Sequence, residues 1–566
     1  MIKELIIISF FLVSAVSECF SGIDNLNDNK LRQIVSDYGQ ARVTIPFPGI
    51  RQTNELSRKL SVSSVKNDTV EIVLSPVTLE WFIDQGLNYK IRAPYDLKDL
   101  KIATGKGQAT EWNTYPSYSQ YISIMQGFAD NYPDICLLDT IGTSNYGKLI
   151  LALKISDNVS IDEDEPETFY SSTIHGDETG GFVLMLRLAD YLLMNYQSDL
   201  RISEMINNLE IWINPLANPD GTYGTGDLIT SPIRFNANGY DLNRNFPDPA
   251  TPNTVTQTET TDMVSFLRKH NFVLSANFHS GTEVVNYPWD SRADLHADDE
   301  WFYSVSRKYA DTVHLYSVPG YMTFLQDGVT NGYMWYSING GRQDFVTREL
   351  QGREVTIELD YDYITPAEDL GLLWEYNHRS LLGYLENALS GIHGKVTDSK
   401  TGDPVKARIF VPGHDSDSSH VYSRSSTGVF VRLISPGSWD LLVTAEGYLP
   451  VNIDNVIVTE DNITNLNVEM LPFINPVDTT ATPVLILYPS PASESVRAVL
   501  PEDFTGQVRI ILYDSGGRKI RDYYENATED IPLVLDVRHL PGGVYVVVVS
   551  KTGSPLRCWK RFVVVR

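Results

Sequence analysis

Residues 169–193, FYSSTIHGDETGGFVLMLRLADYLL, constrain this chain more than any other stretch. Phe169–Ile174 is a short β-prone run. His175-Gly176-Asp177-Glu178 reads as a tight turn. Phe182–Leu193 carries charge only at Arg187 and Asp190, so it reads as a helix buried nearly all round. A strand that turns at once into a buried helix needs a layered α/β core to cover it. His175 and Glu178 sit three positions apart at the C-terminal end of that strand. Backbone held from both sides fixes ligand geometry, so the pair is a candidate for metal binding.

A catalytic zinc site takes three protein ligands, for example two His and one Glu, and leaves one position open. The third ligand has to come from elsewhere. Phe272–Ser280, FVLSANFHS, is a second β-prone run, and it ends on His279, 101 residues after Glu178 in a chain with only ten His. A hydrogen-bonded His closing a strand is the alternative reading of His279 on these residues alone.

The motifs HGDE (175–178), NPDG (218–221), DLNRNFPD (241–248), VLSANFHSGTEVVNYPWD (273–290), NGYMWYSINGGRQDF (331–345) and EVTIELD (354–360) follow one another in order. In this the chain resembles the zinc metallocarboxypeptidases, and among them the carboxypeptidase N/E/D-like branch. The resemblance implies one Zn2+ per chain on His175, Glu178 and His279. It implies Glu358 as general acid/base and Asp241 as the carboxylate that orients a ligand His. It further implies Asn243 and Arg244 as the grip on the substrate's terminal carboxylate, Arg234 as an oxyanion stabiliser, and Tyr336 as the residue that closes over the bound terminus. Arg suits carboxylate binding because its planar fork matches the two oxygens. Asp290, eleven residues after His279, and Gln343 match the pocket of the Lys/Arg-preferring members. Arg342 departs from the branch, where Met is usual. An Arg in the pocket would neutralise Asp290, but neighbours on extended chain alternate direction, so Arg342 is expected to point away.

The expected activity is therefore a zinc- and Glu-promoted hydrolysis of the C-terminal peptide bond, preferring terminal Lys or Arg. Two alternatives remain open: a carboxypeptidase acting on cell-wall peptides, and an inactive surface protein that binds peptides. Net charge is −27, which excludes nucleic acid as the main partner, since phosphate binding needs a basic surface.

The expected fold class is α/β: a mixed-sheet catalytic domain, then two all-β sandwiches, with a small α+β N-terminal module. Residues 1–17 read as a signal peptide, with Lys3 before an apolar run that is too short to span a membrane, and no transmembrane span is expected elsewhere. Residues 24–105 resemble a carboxypeptidase pro-segment, which would shield the site until removed; an N-terminal packing module is the alternative. Residues 110–390 are the expected catalytic domain.

Residues 391–472 resemble a transthyretin-like sandwich, and residues 473–484 are a Pro/Thr-rich linker. His414 and His420 lie in a polar loop and are expected to be solvated. Residues 485–566 resemble the C-terminal sorting domain of the type IX system of Bacteroidota. With the leader, that implies passage across two membranes and a secretion machinery as partner, followed by release or surface attachment. The three Cys, at 19, 136 and 558, support no disulfide framework.

Overall fold

The computed structural model describes residues 26–66, 68–95, 97–252, 254–472, 485–528, 531–554 and 556–566. The signal-peptide reading of 1–17 and the linker reading of 473–484 lie outside the described residues.

Eight strands form the central sheet: β5 (Cys136–Thr143), β6 (Leu149–Ile155), β7 (Glu167–Ser172), β8 (Glu210–Asn214), β9 (Phe272–His279), β10 (Thr282–Tyr287), β11 (Val329–Asn331) and β12 (Arg353–Asp360). Their order is β11-β10-β12-β9-β7-β8-β6-β5. The inner strands β12, β9, β7 and β8 run parallel, and antiparallel pairings join β10 to β12, β6 to β8 and β5 to β6. Side chains alternate between faces along a strand. Tyr170 accordingly enters one apolar cluster, beneath the helices Tyr118–Asn131, Gly180–Asn195, Asp299–Tyr316 and Leu370–Glu386. Phe169 enters a second cluster on the other face, with Phe266 and Phe345 of the helices Thr258–Lys269 and Arg342–Glu349. The helix Gly180–Asn195 realises the buried run expected from Phe182 to Leu193.

Two turns meet where the parallel strands end. Asn218 caps the short helix Pro219–Tyr223 by accepting from the Gly221 N–H. A Cβ on Gly176 would stand 2.2 Å from the Gly221 carbonyl carbon, so only glycine lets the HGDE turn rest on the NPDG turn.

Ahead of this sheet, β1 (Ala41–Pro46), β2 (Ser61–Lys66), β3 (Thr69–Leu74) and β4 (Lys90–Ile91) form a second sheet of order β2-β3-β1-β4. Helical residues 26–38 and the helices Ile50–Ser57 and Leu79–Asp84 accompany it. Its core of Leu31, Val43, Val62, Ile72 and Phe82 runs into Val284, Trp335, Tyr336 and Ile338 of the larger unit without a break.

Residues 391–472 carry two four-stranded sheets over one apolar core, and residues 485–566 a three-stranded and a four-stranded sheet over another. Buried Asp298 ties 391–472 to the central sheet. It accepts from Arg353 (2.6 Å), from Arg432 through two nitrogens (2.8 and 2.9 Å) and from His414 (2.8 Å). His414 is thus an interface residue packed against Trp439, which corrects the solvated reading. His420 is half-buried against Tyr422 and Arg408. The sequence shows a polar loop but not the carboxylate waiting across the interface. Burial alone would raise the Asp298 carboxyl, yet Arg432 and Arg353 hold it well below the usual range. Asp298→Ala leaves the buried Arg353 without a carboxylate and Arg432 with Asp415 alone, so we expect a loss of about 3–5 kcal/mol, read as a lower urea midpoint. An unchanged midpoint would contradict this account.

Candidate zinc site and catalytic cleft

β7 ends at Ser172, and Thr173 takes a left-handed turn (φ 59°) that brings His175 and Glu178 back beneath the strand end. His279 is the last residue of β9, the neighbour of β7. Three donor atoms converge there. His175 Nδ1 lies 2.7 Å from Glu178 Oε1, His279 Nδ1 lies 2.7 Å from Glu178 Oε2, and the two Nδ1 atoms stand 3.1 Å apart. Donors on a tetrahedral zinc, at about 2.0–2.2 Å from it, would stand about 3.3 Å apart.

The wiring behind the donors fits a metal. His175 Nε2 is 3.0 Å from Asp241 Oδ1, so its proton belongs on Nε2 and the Nδ1 lone pair faces inward. The other side of Asp241 accepts from Arg234 Nε (2.9 Å), and Arg234 Nη1 reaches Glu178 Oε1 (3.2 Å). Burial raises the Glu178 carboxyl, but the two imidazoles override it and hold it below its usual range. Burial pushes His279 down to about 4, which keeps it neutral and able to bind a metal. Replacing His175 with Ala is expected to remove stoichiometric zinc while leaving the fold intact. Metal analysis with circular dichroism checks both halves of that statement.

Around the triad lie the other residues singled out above. Glu358 sits on β12 directly beside His279 of β9. Its Oε2 is buried and makes no hydrogen bond. Burial, then the charge of Glu178, raises its carboxyl well above the usual range. Asp241 begins the short turn Leu242–Arg244, accepting from the Asn243 N–H. That turn aims Asn243 and Arg244 at the same space, with Asn243 Nδ2 3.4 Å from His279 Nε2. Tyr336 is buried over it.

Asp290 lines the far wall. Its Oδ1 accepts from Asn286 Nδ2 (2.9 Å) and Gln343 Nε2 (3.1 Å), and Asp344 holds its backbone N–H (2.9 Å). Burial and the Asp344 charge raise the Asp290 carboxyl. Sequence reading passed over Asn286, four residues earlier on β10; its signal was strand alternation, since it lies opposite Thr356 and two residues from Val284, the partner of Glu358.

Arg342 does point away from Asp290, but for another reason than the one expected. The stretch is not extended; it is the first turn of the helix Arg342–Glu349. The fully buried guanidinium pairs with Glu354 (3.0 Å) and lies over the Phe169 ring. Its backbone N–H fixes the Asn243 amide by donating to Oδ1 (2.9 Å).

Two other clusters of metal-binding residue types occur among the described residues. Asp298, His414 and Asp415 are already neutralised by Arg353 and Arg432. Asp157, Glu163 and Glu165 form a half-exposed acidic group.

A mixed eight-stranded sheet with a His2Glu cluster at the carboxyl ends of its parallel strands is the arrangement of a zinc hydrolase. Residues 121–380 match the family model described as zinc carboxypeptidase. The chain is 31% identical over 403 residues to the human carboxypeptidase N catalytic chain, covering 64% of this chain and 87% of that one. The chain belongs to the zinc carboxypeptidase family. It is 34% identical over 346 residues to mouse carboxypeptidase M, 58% of this chain and 77% of that protein. It is also 34% identical over 362 residues to human carboxypeptidase D, 61% of this chain, but it spans only 26% of that protein's length. Residues 486–565 match the secretion system C-terminal sorting domain. No helix among the described residues is long and apolar enough to cross a membrane.

Proposed function

We propose that this chain is a metallocarboxypeptidase that removes single residues, preferably Lys or Arg, from the C-termini of peptides and proteins. The observation that carries the reading is convergence. The triad, Glu358, Arg234, Asn243, Arg244, Tyr336 and Asp290 come from segments spread between 175 and 358, yet all border one cavity.

Each residue has a task its surroundings suit. His175, Glu178 and His279 would hold zinc, which when bound supplies a Lewis acid that lowers the pKa of a water to about 7. Glu358, free at Oε2, takes the proton of the attacking water and returns it to the leaving amine. Arg234 faces the same space and stabilises the oxyanion. Asp241 holds both Arg234 and His175 in register. Arg244 and Asn243 receive the terminal carboxylate, so a chain lacking one leaves a half-buried guanidinium unmatched. That requirement makes the activity an exopeptidase one. Tyr336 closes over the terminal residue. Asp290, braced by Gln343, receives a cationic side chain, because a buried carboxylate left without a counter-charge is costly.

In the same reading residues 24–105 are a pro-segment-like module, 391–472 a transthyretin-like domain, and 485–566 the signal that delivers the protein to an outer-membrane secretion machinery. The chain then works at the cell surface or in the medium.

The test is a set of peptides identical except for a terminal Lys, Arg, Leu, Phe or Glu. They are incubated with the chain before and after cleavage between Thr104 and Gly105, with and without a zinc chelator, and read by mass spectrometry. Loss of one residue from the Lys and Arg peptides alone, abolished by chelator, is the expected result. Trimming of Leu, Phe or Glu peptides instead would overturn the basic preference. No trimming by zinc-loaded protein would overturn the enzyme.

A further inference from the structure

Asp290 stands near the start of an irregular segment, residues 288–298, that joins β10 to the helix Asp299–Tyr316. The central-sheet unit holds the first part of that segment. Asn331 Nδ2 donates to the Pro288 carbonyl (2.9 Å), and Asp344 takes the backbone N–H groups of Asp290 and Ser291 (both 2.9 Å). A Cβ on Gly332 would stand 1.8 Å from Asp290 Oδ1, so the carboxylate has no slack on that side.

The remainder is gripped from outside, by residues 391–472. Asp298 ends the segment, and Arg432 reaches its carboxylate through two nitrogens (2.8 and 2.9 Å). Asp415 Oδ1 accepts from the same guanidinium (2.6 Å) and keeps it in place. Midway, Arg292 Nη2 lies 3.2 Å from Asp417 Oδ2. Both grips lead to Trp289, the residue immediately before Asp290. Its ring is buried, with the Arg292 guanidinium over it (4.3 Å from the ring centre) and the His296 ring against it (5.1 Å between centres). His296 in turn accepts from the Asp298 N–H through Nδ1 (2.9 Å). Two short paths therefore run from residues 391–472 to the backbone that carries Asp290. One goes from Asp417 through Arg292, the other from Arg432 through Asp298 and His296.

Attachment of residues 391–472 is served by other contacts. Val431 and Leu433 enter the apolar cluster that also takes Tyr170. Arg424 donates to the Asp162 carboxylate (2.9 Å) and to the Glu163 carbonyl (3.0 Å), on the loop after β6. Apolar burial and charge-assisted hydrogen bonds hold two units together wherever they fall. Contacts on the segment 288–298 add something else, which is position. The attraction between a carboxylate and a cation falls with their separation, and a desolvated pair is favourable only when its geometry is good.

We infer that residues 391–472 belong to the specificity apparatus: Arg432 and Asp417 are positioning residues that set the place of the Asp290 carboxylate through the segment 288–298. Neither touches the substrate. The inference rests on the role given above to Asp290 as the receiver of a terminal Lys or Arg side chain.

The experiment uses the full-length, zinc-loaded chain cleaved between Thr104 and Gly105. The parent is compared with Asp417→Ala, Arg432→Lys, Asp290→Asn and the double variant of Arg432→Lys with Asp290→Asn. The quantity read is discrimination, the ratio of kcat/KM for a peptide ending in Arg to that for the same peptide ending in Leu. Loss of folded or zinc-loaded protein lowers both values alike and cancels in the ratio. Asp417 is exposed, so Asp417→Ala decides the matter even where Arg432→Lys does not fold.

Discrimination about tenfold lower in Arg432→Lys and about threefold lower in Asp417→Ala is the expected result, carried by KM for the Arg peptide. Adding Arg432→Lys to Asp290→Asn is expected to cost nothing further, because the carboxylate it positions is already gone. Parent-like discrimination in Asp417→Ala and Arg432→Lys, while Asp290→Asn has lost it, overturns the positioning role and leaves the Asp290 pocket standing. An equal loss from Arg432→Lys with and without the Asp290 carboxylate overturns it too, since the effect then bypasses Asp290. A parent that does not discriminate, or an Asp290→Asn variant that discriminates as the parent does, overturns the proposed pocket and this inference with it.

Discussion

Glu358→Gln leaves zinc bound and lowers kcat of the chain cleaved between Thr104 and Gly105 by about 10²–10⁴-fold, the usual contribution of a positioned general acid–base. The substitution keeps the size and shape of the side chain and removes only its ability to accept a proton. Glu358 makes no hydrogen bond through Oε2, and the triad atoms bond to one another, to Asp241 and to Arg234 rather than to Glu358. The metal site therefore does not depend on it. The charge lost is itself strained: burial and Glu178 both disfavour the ionised form. Retaining a carboxylate whose Oε2 is buried without a partner costs stability, so the variant is expected to be no less stable than the parent. Zinc content, an unfolding curve and kcat are the three readouts. A kcat within tenfold of the parent would remove Glu358 from the reaction; loss of zinc would make it a structural support of the site.

Asp290→Asn is expected to lower kcat/KM for peptides ending in Lys or Arg by about 2–5 kcal/mol, or roughly 30- to 5,000-fold, and to spare peptides ending in Leu. The change keeps an acceptor for Asn286 and Gln343 and deletes the charge. The effect falls on KM, because the side chain is gripped equally in substrate and transition state. A pH dependence accompanies it. Burial and Asp344 raise the Asp290 carboxyl in the empty pocket, and only its ionised form attracts the cation. In the parent, KM for an Arg-ended peptide should fall as pH rises above the ordinary carboxylate range, while KM for a Leu-ended peptide stays flat. Identical profiles for both peptides, or equal losses on both in the variant, would place the cation elsewhere.

Much of this was legible in advance because the relevant signals are local. A β-prone run ending on His279 became β9, and the largely apolar stretch after HGDE became the helix Gly180–Asn195. Strand patterning and a buried helix are short-range consequences of which residues avoid water.

The failures share a cause as well. His414 was read from its polar neighbours, but its partner Asp298 lies 116 positions away. Arg342 was placed on extended chain, whereas Gly341 precedes a helix whose first turn is held by a buried Glu354. Ser61–Lys66, SVSSVK, was not recognised as a strand, because three serines and a lysine leave little apolar alternation to detect. Its strand character comes from β3 beside it and from the cleft beneath it.

By itself the sequence determined the residue types, their order and the elements that carry them: two strand ends with His, a turn with Glu, an Asn-Arg pair, an acid ahead of a polar loop. Those follow from covalent order and from short-range preference for burial or turn. Tertiary structure alone decided three further matters. It set the tautomer of His175, through Asp241 on a distant loop. It turned the Arg342 side chain away from Asp290, through Glu354 on β12. It laid the Val62 carbonyl on Arg244, across 182 positions of chain. Each depends on which segments meet when the sheets close, a matter of long-range packing that no local pattern encodes.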